Sequence, residues 1–204
     1  MSVDFSFVEK HYAPRTQEKM AEVLMDPKGI GPVYHYYMIR GGVDQKNITV
    51  WEPGTISREY IKTYGHYHVG KINETYWILY GEGVAVLQKL ATDSSGNMIP
   101  DVVEEFKAQK VKTGDSVFMP SGWGHLVANI GTTYFVTADD SPVNFDEKNA
   151  ISLPGHADYE PVKQMRGFAY YVVEHEGKPA LLRNKQYREI KKEDFGGLPV
   201  IKTL

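Results

Sequence analysis

The sequence predicts an all-β protein, a barrel or sandwich, with one short helix near its N-terminus. Two observations carry this. Ten short runs rich in β-branched and aromatic residues follow one another between clusters of Gly, Pro, Asp and Asn. Only one stretch places its apolar residues at helical spacing instead. Many short strands with regular turn signals are the pattern of closed or double-sheet all-β folds.

The helix is expected over about residues 16–25, in "TQEKMAEVLMDP". Thr16 is a fitting N-cap, Met20, Val23 and Leu24 share a face, and Asp26-Pro27 ends the run. The strands follow in order: "VYHYYMIR", "NITVWE", "EYIKTYG", "TYWILYG", "VAVLQKL", "VVEEFKA", "SVFMP", "LVANIG", "TYFVTA" and, late, "FAYYVVE". The barrel core is expected over about 33–138, with a covering segment and closing strands over about 139–187. The covering part includes "DDSPVNFDEKNAISLPGHADYEPVKQMRG", the longest stretch without periodicity, and a loop of that length in a compact fold is more often functional than idle. No repeat, low-complexity segment or linker divides the chain, so residues 1–204 are expected to form a single domain.

Composition narrows the function. The chain has 204 residues, 42% hydrophobic and 24% charged, with a formal net charge of −3, and carries no nucleic-acid or membrane footprint. No apolar run approaches the length of a membrane span, and "MSVDFSFVEKHYAPR" lacks the form of a signal peptide, so a cytoplasmic location is expected. The sequons at Asn47 and Asn73 are then accidental. The absence of cysteine excludes disulfides, thiolate metal sites and a cysteine nucleophile. Any metal must be bound through nitrogen and oxygen, from the seven His and 26 acidic residues.

Such a set is concentrated in "GHYHVGKINETYWILYGEG". His66 and His68 stand two apart and therefore share one strand face. Glu74 opens the next run, and a turn through "VGKIN" would return it beside them. A lone H-x-H is more often a solvated hairpin than a metal ligand pair, and the glutamate at hairpin distance only brings the two readings level, so a fourth ligand matters. Residues 114–129, "GDSVFMPSGWGHLVAN", supply Gly114, Pro120, Gly122, His125 and Asn129 in the spacing of the second cupin signature, while His66, His68, Glu74 and Gly81 match the first. The chain therefore resembles the cupin family. That resemblance implies a double-stranded β-helix (jelly-roll) barrel with His66, His68, Glu74 and His125 converging on one divalent metal. Three imidazoles and a carboxylate suit Fe2+, Mn2+, Ni2+, Co2+ or Zn2+, with Fe2+ placed first.

The residues around the ligands narrow the resemblance further. "TYGHYH" followed by "ETYWILYGEG" is similar to the cupin-type glucose-6-phosphate isomerases, and "GPVYHYY", "ITVWEPG", "GHADY" and "GFAYYVVEHEGKPALLRNKQY" extend the similarity from about residue 30 to about 187. The resemblance implies reversible conversion of glucose 6-phosphate to fructose 6-phosphate by a cis-enediol proton transfer, with Glu74 as base and Tyr76 beside the reacting carbons. Tyr34 would contact the sugar. Thr49, Thr63 and the Gly65 backbone would hold the phosphate, and His156 and Tyr159 would close the pocket. Alternation supports Tyr76, which shares a face with Glu74, but puts Thr63 opposite His66 unless the chain bends near Gly65. The chain departs from the family at Tyr64, where a lysine is expected, in the spacing of "GHADY", and in the insertion "DDSPVNFDEKNAIS". His11, His35 and His175 match nothing and read as surface or strand histidines. Two other classes share these motifs: another metal cupin (a dioxygenase or a sugar-phosphate epimerase) and a non-catalytic sugar-binding cupin. Cupin barrels of this type tend to pair, so a homodimer is expected.

Overall fold

A computed structural model of the chain describes residues 12–41, 46–142 and 157–203. The expectations for His11, His156 and most of the insertion fall outside these residues. The elements run as β1 Tyr12–Thr16, α1 Gln17–Met20, β2 Tyr34–Ile39, β3 Asn47–Trp51, β4 Thr55–Ile56, β5 Glu59–Tyr60, β6 Tyr67–His68, β7 Glu74–Tyr80 and β8 Glu82–Thr92. They continue as β9 Met98–Lys112, β10 Ser116–Met119, β11 Gly124–Asn129, β12 Phe135–Asp139, β13 Ala157–Asp158, α2 Glu160–Gln164 and β14 Tyr170–His175. The last are β15 Lys178–Arg183, β16 Glu189–Ile190, β17 Glu193–Asp194 and β18 Val200–Ile201.

Two sheets make the barrel. One has the order β1-β2-β3-β12-β7-β10, and the other β11-β8-β9-β16 with β17 also beside β9. The segment before β6 joins the second sheet through the antiparallel bridges Lys62↔Ala128 and His66↔His125. Successive strands thus pass from sheet to sheet in antiparallel pairs, β7 with β10 and β8 with both β9 and β11. This is the double-stranded β-helix of the cupins. The inner faces supply Trp51, Ile78, Val84, Val86, Phe106 and Phe135 to one buried core. A further sheet, β18-β15-β14-β5-β4, continues the closing strands past residue 187 to Ile201.

The N-terminal helix differs from expectation. It spans only Gln17–Met20, with the Thr16 side chain accepting from Lys19 N at 3.2 Å as its N-cap. Met20, Val23 and Leu24 are buried, yet the chain from Ala21 onward leaves the helix. The reason lies in an internal ion pair. Lys62 Nζ donates to Val23 O at 2.9 Å, and Met25 N donates to Glu59 Oε2 at 2.7 Å, so side chains take over the backbone groups. The two side chains lie 3.5 Å apart, both buried. Among the described residues no helix is long and apolar enough to cross a membrane.

Candidate active site

Four side chains meet at the inner wall of the barrel. Gly65 sits at φ +81°, a left-handed turn that glycine adopts without strain. The turn lets Thr63 and His66 face the same space, which plain alternation forbids. His66 and His125 are clamped as an antiparallel pair, His125 N donating to His66 O at 3.0 Å and His66 N to His125 O at 3.3 Å. β6 carries His68 two residues on, and β7 begins with Glu74, whose register partner is Met119 on β10. One ligand atom from each of His66, His68, Glu74 and His125 lies within 4.8 Å of all the others.

The donors are aimed rather than merely close. His68 Nδ1 lies 3.2 Å from Ile72 O; with its proton there, Nε2 keeps a lone pair for the cluster. Glu74 Oε2 stands 3.0 Å from His125 Nε2, and both atoms are buried, but their alignment makes no hydrogen bond. Burial alone would raise the Glu74 carboxyl, but His125, then His68 and His66, outweigh it and hold it well below the usual carboxylate range. A buried carboxylate among three imidazoles, with misaligned nitrogen and oxygen atoms facing one another, fits a first-row divalent ion.

His66 and Glu74 of the cluster also line a cleft of about 600 Å³, counting its open mouth. The first sheet lines it with Tyr36, Met38 and Arg40 from β2 and the residue after it, Asn47 and Thr49 from β3, Tyr76 from β7 and Asp139 from β12. Thr63, Gly65 and His66 face them, and Tyr159 enters from the returning segment. That segment comes back because β13 pairs with β6, Ala157 opposite His68. The Tyr159 ring lies 5.4 Å from the His66 ring and 5.3 Å from the Tyr64 ring. Burial first, and Tyr36 next, push its hydroxyl up to about 12. Burial, and the Glu74 charge after it, raise both the Tyr76 hydroxyl and the Asp139 carboxyl well above their usual ranges.

The structure therefore brings Thr49, Thr63, Gly65, Tyr76 and Tyr159 to one cleft with the cluster. It does not bring Tyr34, which is 38% exposed and packs beside Tyr37 at 5.8 Å. The cause is a bulge: Arg15 pairs with Tyr36 but Thr16 with Tyr34, so His35 is an extra residue and alternation resets there. Tyr36 takes the cleft position. Tyr64 points away from the cleft, its hydroxyl donating to Glu22 Oε2 at 2.6 Å. Among the other histidines, His35 is a strand histidine, in β2, and is wholly buried. Sequence reading missed Tyr36, Arg40, Asn47 and Asp139. Asn47 shares strand parity with Thr49, Tyr36 and Arg40 share it with Met38, which pairs with Thr49, and Asp139 shares it with Thr137, which also pairs with Thr49, so parity counted from Thr49 outward could have found them.

Fold and cluster together define a cupin with a four-residue set that could hold a metal ion. The glucose-6-phosphate isomerase (GPI) family profile matches residues 36–189. The chain belongs to that family and is an aldose–ketose isomerase. Among its relatives is the glucose-6-phosphate isomerase of Thermococcus litoralis, 29% identical over 170 residues, covering 80% of this chain and 77% of that protein. The Pyrococcus abyssi enzyme is 27% identical, over 76% of this chain and 73% of its own. Of solved structures, Bacillus subtilis oxalate decarboxylase overlaps 51% of this chain and 24% of its own at 18% identity and a TM-score of 0.34. So slight an overlap carries no argument, and the fold rests on the strand pairing.

Proposed function

We propose that this protein interconverts glucose 6-phosphate and fructose 6-phosphate at the cleft, with one divalent ion, Fe2+ first among Fe2+, Mn2+, Ni2+, Co2+ and Zn2+, held by His66, His68, Glu74 and His125. The observation that carries the reading is the convergence of those four donors, two of which line the cleft, inside a family of isomerases. Bound there, the ion supplies Lewis-acid stabilisation of negative charge developing on the substrate's oxygens. Everything else falls to the chain. Glu74 is ionised at neutral pH and removes the C2 proton, giving a cis-enediol, then returns the proton to C1. Its low basicity opposes this step, and proximity in the closed cleft offsets it. Tyr76, kept neutral by burial, presents a hydroxyl beside the reacting carbons. Tyr159 roofs the site and excludes water, joined in this reading by His156; Thr49, Thr63 and the Gly65 amide orient the sugar phosphate.

The test is a coupled assay. The protein is stripped with chelator, reloaded with each ion separately, and followed converting fructose 6-phosphate. Turnover restored by metal is expected, with Glu74→Gln almost inactive. Stoichiometric metal binding without turnover would end the isomerase reading in favour of a binding cupin; oxygen consumption instead would point to a dioxygenase. Run in deuterated water, the reaction should place deuterium in the product, and full retention of the original hydrogen would move the mechanism to a hydride shift. We place the enzyme in the cytoplasm, in glycolysis or gluconeogenesis, as a homodimer. Exposed Leu79 and Phe118 on the outer faces of β7 and β10 support the pairing.

A further inference from the structure

We propose that Arg40 is the anion anchor of the cleft and holds the substrate's phosphate at the wall away from the His66–His68–Glu74–His125 cluster. The identity of the anion rests on the isomerase reading; the existence of an anion site does not. Arg40 is 6% exposed and lines the cleft. A guanidinium stays charged at every relevant pH. Among the described residues its side chain makes no ion pair and no hydrogen bond, and its interactions there act only at longer range. Burying a cation without a close counter-charge is unfavourable unless something else supplies the charge.

Among the described residues no group supplies it at contact distance. Asp139 shares the wall and acts on Arg40 only at longer range, and its Oδ1 already accepts from Asn47 Nδ2 at 2.7 Å, Ser141 N at 3.1 Å and Ser141 Oγ at 2.7 Å. A second guanidinium, on β1 behind the lining residues, acts on Arg40 with like charge. Arg15 is 5% exposed and its Nε donates to the Tyr36 hydroxyl at 3.1 Å. That hydroxyl also accepts from Tyr64 N at 3.2 Å, which ties the Thr63–Gly65 stretch to the arginine wall.

The position suits the substrate. Arg40 extends β2, whereas Glu74 lies on β7, with β3 and β12 between them in the sheet. Three strand spacings put their backbones roughly 14 Å apart along the curved wall, and the two side chains reach inward from there with Asp139 between them, which shortens the span to be bridged. An open-chain sugar phosphate carries its charge at one end and its reacting carbons at the other, so it needs such a separation. A guanidinium offers a planar fork to two phosphate oxygens at once, while Thr49 and Thr63 line the same cleft. The hydroxyl-and-amide phosphate site expected from the sequence thereby gains a fixed positive charge.

The experiment is calorimetric titration of inorganic phosphate into the metal-loaded protein, wild type against Arg40→Gln, alongside steady-state kinetics on fructose 6-phosphate and on fructose. Wild type is expected to bind phosphate, and Arg40→Gln to bind it roughly 10- to 100-fold more weakly with an unshifted melting temperature. KM for fructose 6-phosphate should rise by a similar factor, and the loss on fructose 6-phosphate should exceed any loss on fructose at least tenfold. Equal phosphate affinity in the two proteins, or no binding by wild type, would overturn the proposal. So would equal losses on the two sugars, which would make Arg40 a structural balance for Asp139. If Arg40→Gln does not fold, Arg40→Lys keeps the charge without the fork and should lose affinity several-fold while folding; undiminished phosphate affinity in it would overturn the bidentate contact. Phosphate binding lost in Arg40→Gln while wild type shows no isomerisation with any ion would leave the anion site standing and remove only the isomerase reading.

Discussion

His35 gives the stability of this protein a pH dependence whose size follows from its surroundings. The residue forms the bulge of β2, is fully buried, and bonds through Nε2 to Gln17 Oε1, with Nδ1 left without a hydrogen bond. Burial, and the Lys62 charge behind it, lower its pKa from 6.5 to about 4. In the unfolded chain the imidazole takes up a proton near pH 6.5; in the folded protein it does so only near pH 4. The stabilising neutral form is therefore fully present above the unfolded pKa, and its contribution is lost as pH falls through the window from 6.5 towards 4. At about 1.4 kcal/mol per pH unit the loss approaches ~3 kcal/mol, a large share of a typical domain's ~5–15 kcal/mol. The assay is urea unfolding of wild type and His35→Leu at pH 7.5, 6.5, 5.5 and 4.5, at constant ionic strength. The two stabilities should converge as pH falls, because only wild type carries this linkage. A constant difference across the series would refute the reasoning, as would an imidazole resonance of His35 titrating near 6.5 in the folded protein.

Two further perturbations test how the scaffold holds the site. Lys62→Met leaves Glu59 buried beside an empty place and Val23 O without its donor, and should cost about 3–5 kcal/mol by urea unfolding, with the double variant Lys62→Met/Glu59→Gln recovering a large part. Full cost in the double variant would show that backbone capture, not charge, is what the pair supplies. Gly65→Ala forces an L-residue into φ +81°, with its Cβ 3.1 Å from Phe168 Cε1 and 3.3 Å from His125 O. It should destabilise by about 1–3 kcal/mol and lower metal content per chain, since His66 is the next residue. Unchanged metal content by elemental analysis would show that the turn does not position that ligand.

The part of this protein legible in its sequence was set by local rules, and the part that was not was set by residues elsewhere overriding them. Strand existence and ligand spacing are local: H-x-H on one face, Glu74 after a short turn and His125 after a glycine-rich bend need only period-two alternation and glycines where the chain turns. Alternation even flagged its own failure at Thr63, where a turn at Gly65 was required and φ +81° provides it. The helix over residues 16–25 failed because the periodicity of Met20, Val23 and Leu24 reports burial, whichever backbone delivers it. Glu59 and Lys62, some forty residues later, bind the backbone of Val23 and Met25 and so remove the need for helical hydrogen bonds. Tyr34 failed through the same kind of distant cause. A bulge opposite β1 exchanges it for Tyr36, and no pattern within "GPVYHYY" announces the bulge. Tyr36, Met38 and Arg40 turn inward together on the regular side of that bulge, where the pairing of β2 with β3 runs unbroken from Tyr36 to Ile39. Removing the bulge tests that division. Deleting His35 should restore regular pairing with β1, keep Tyr34 on the outer face as the immediate neighbour of Tyr36, and leave Arg40's parity and phosphate affinity intact, because the register of β2 with β3 is fixed independently from Tyr36 to Ile39. If phosphate affinity is lost with the bulge, the first strand, and not β3, sets the direction of Arg40.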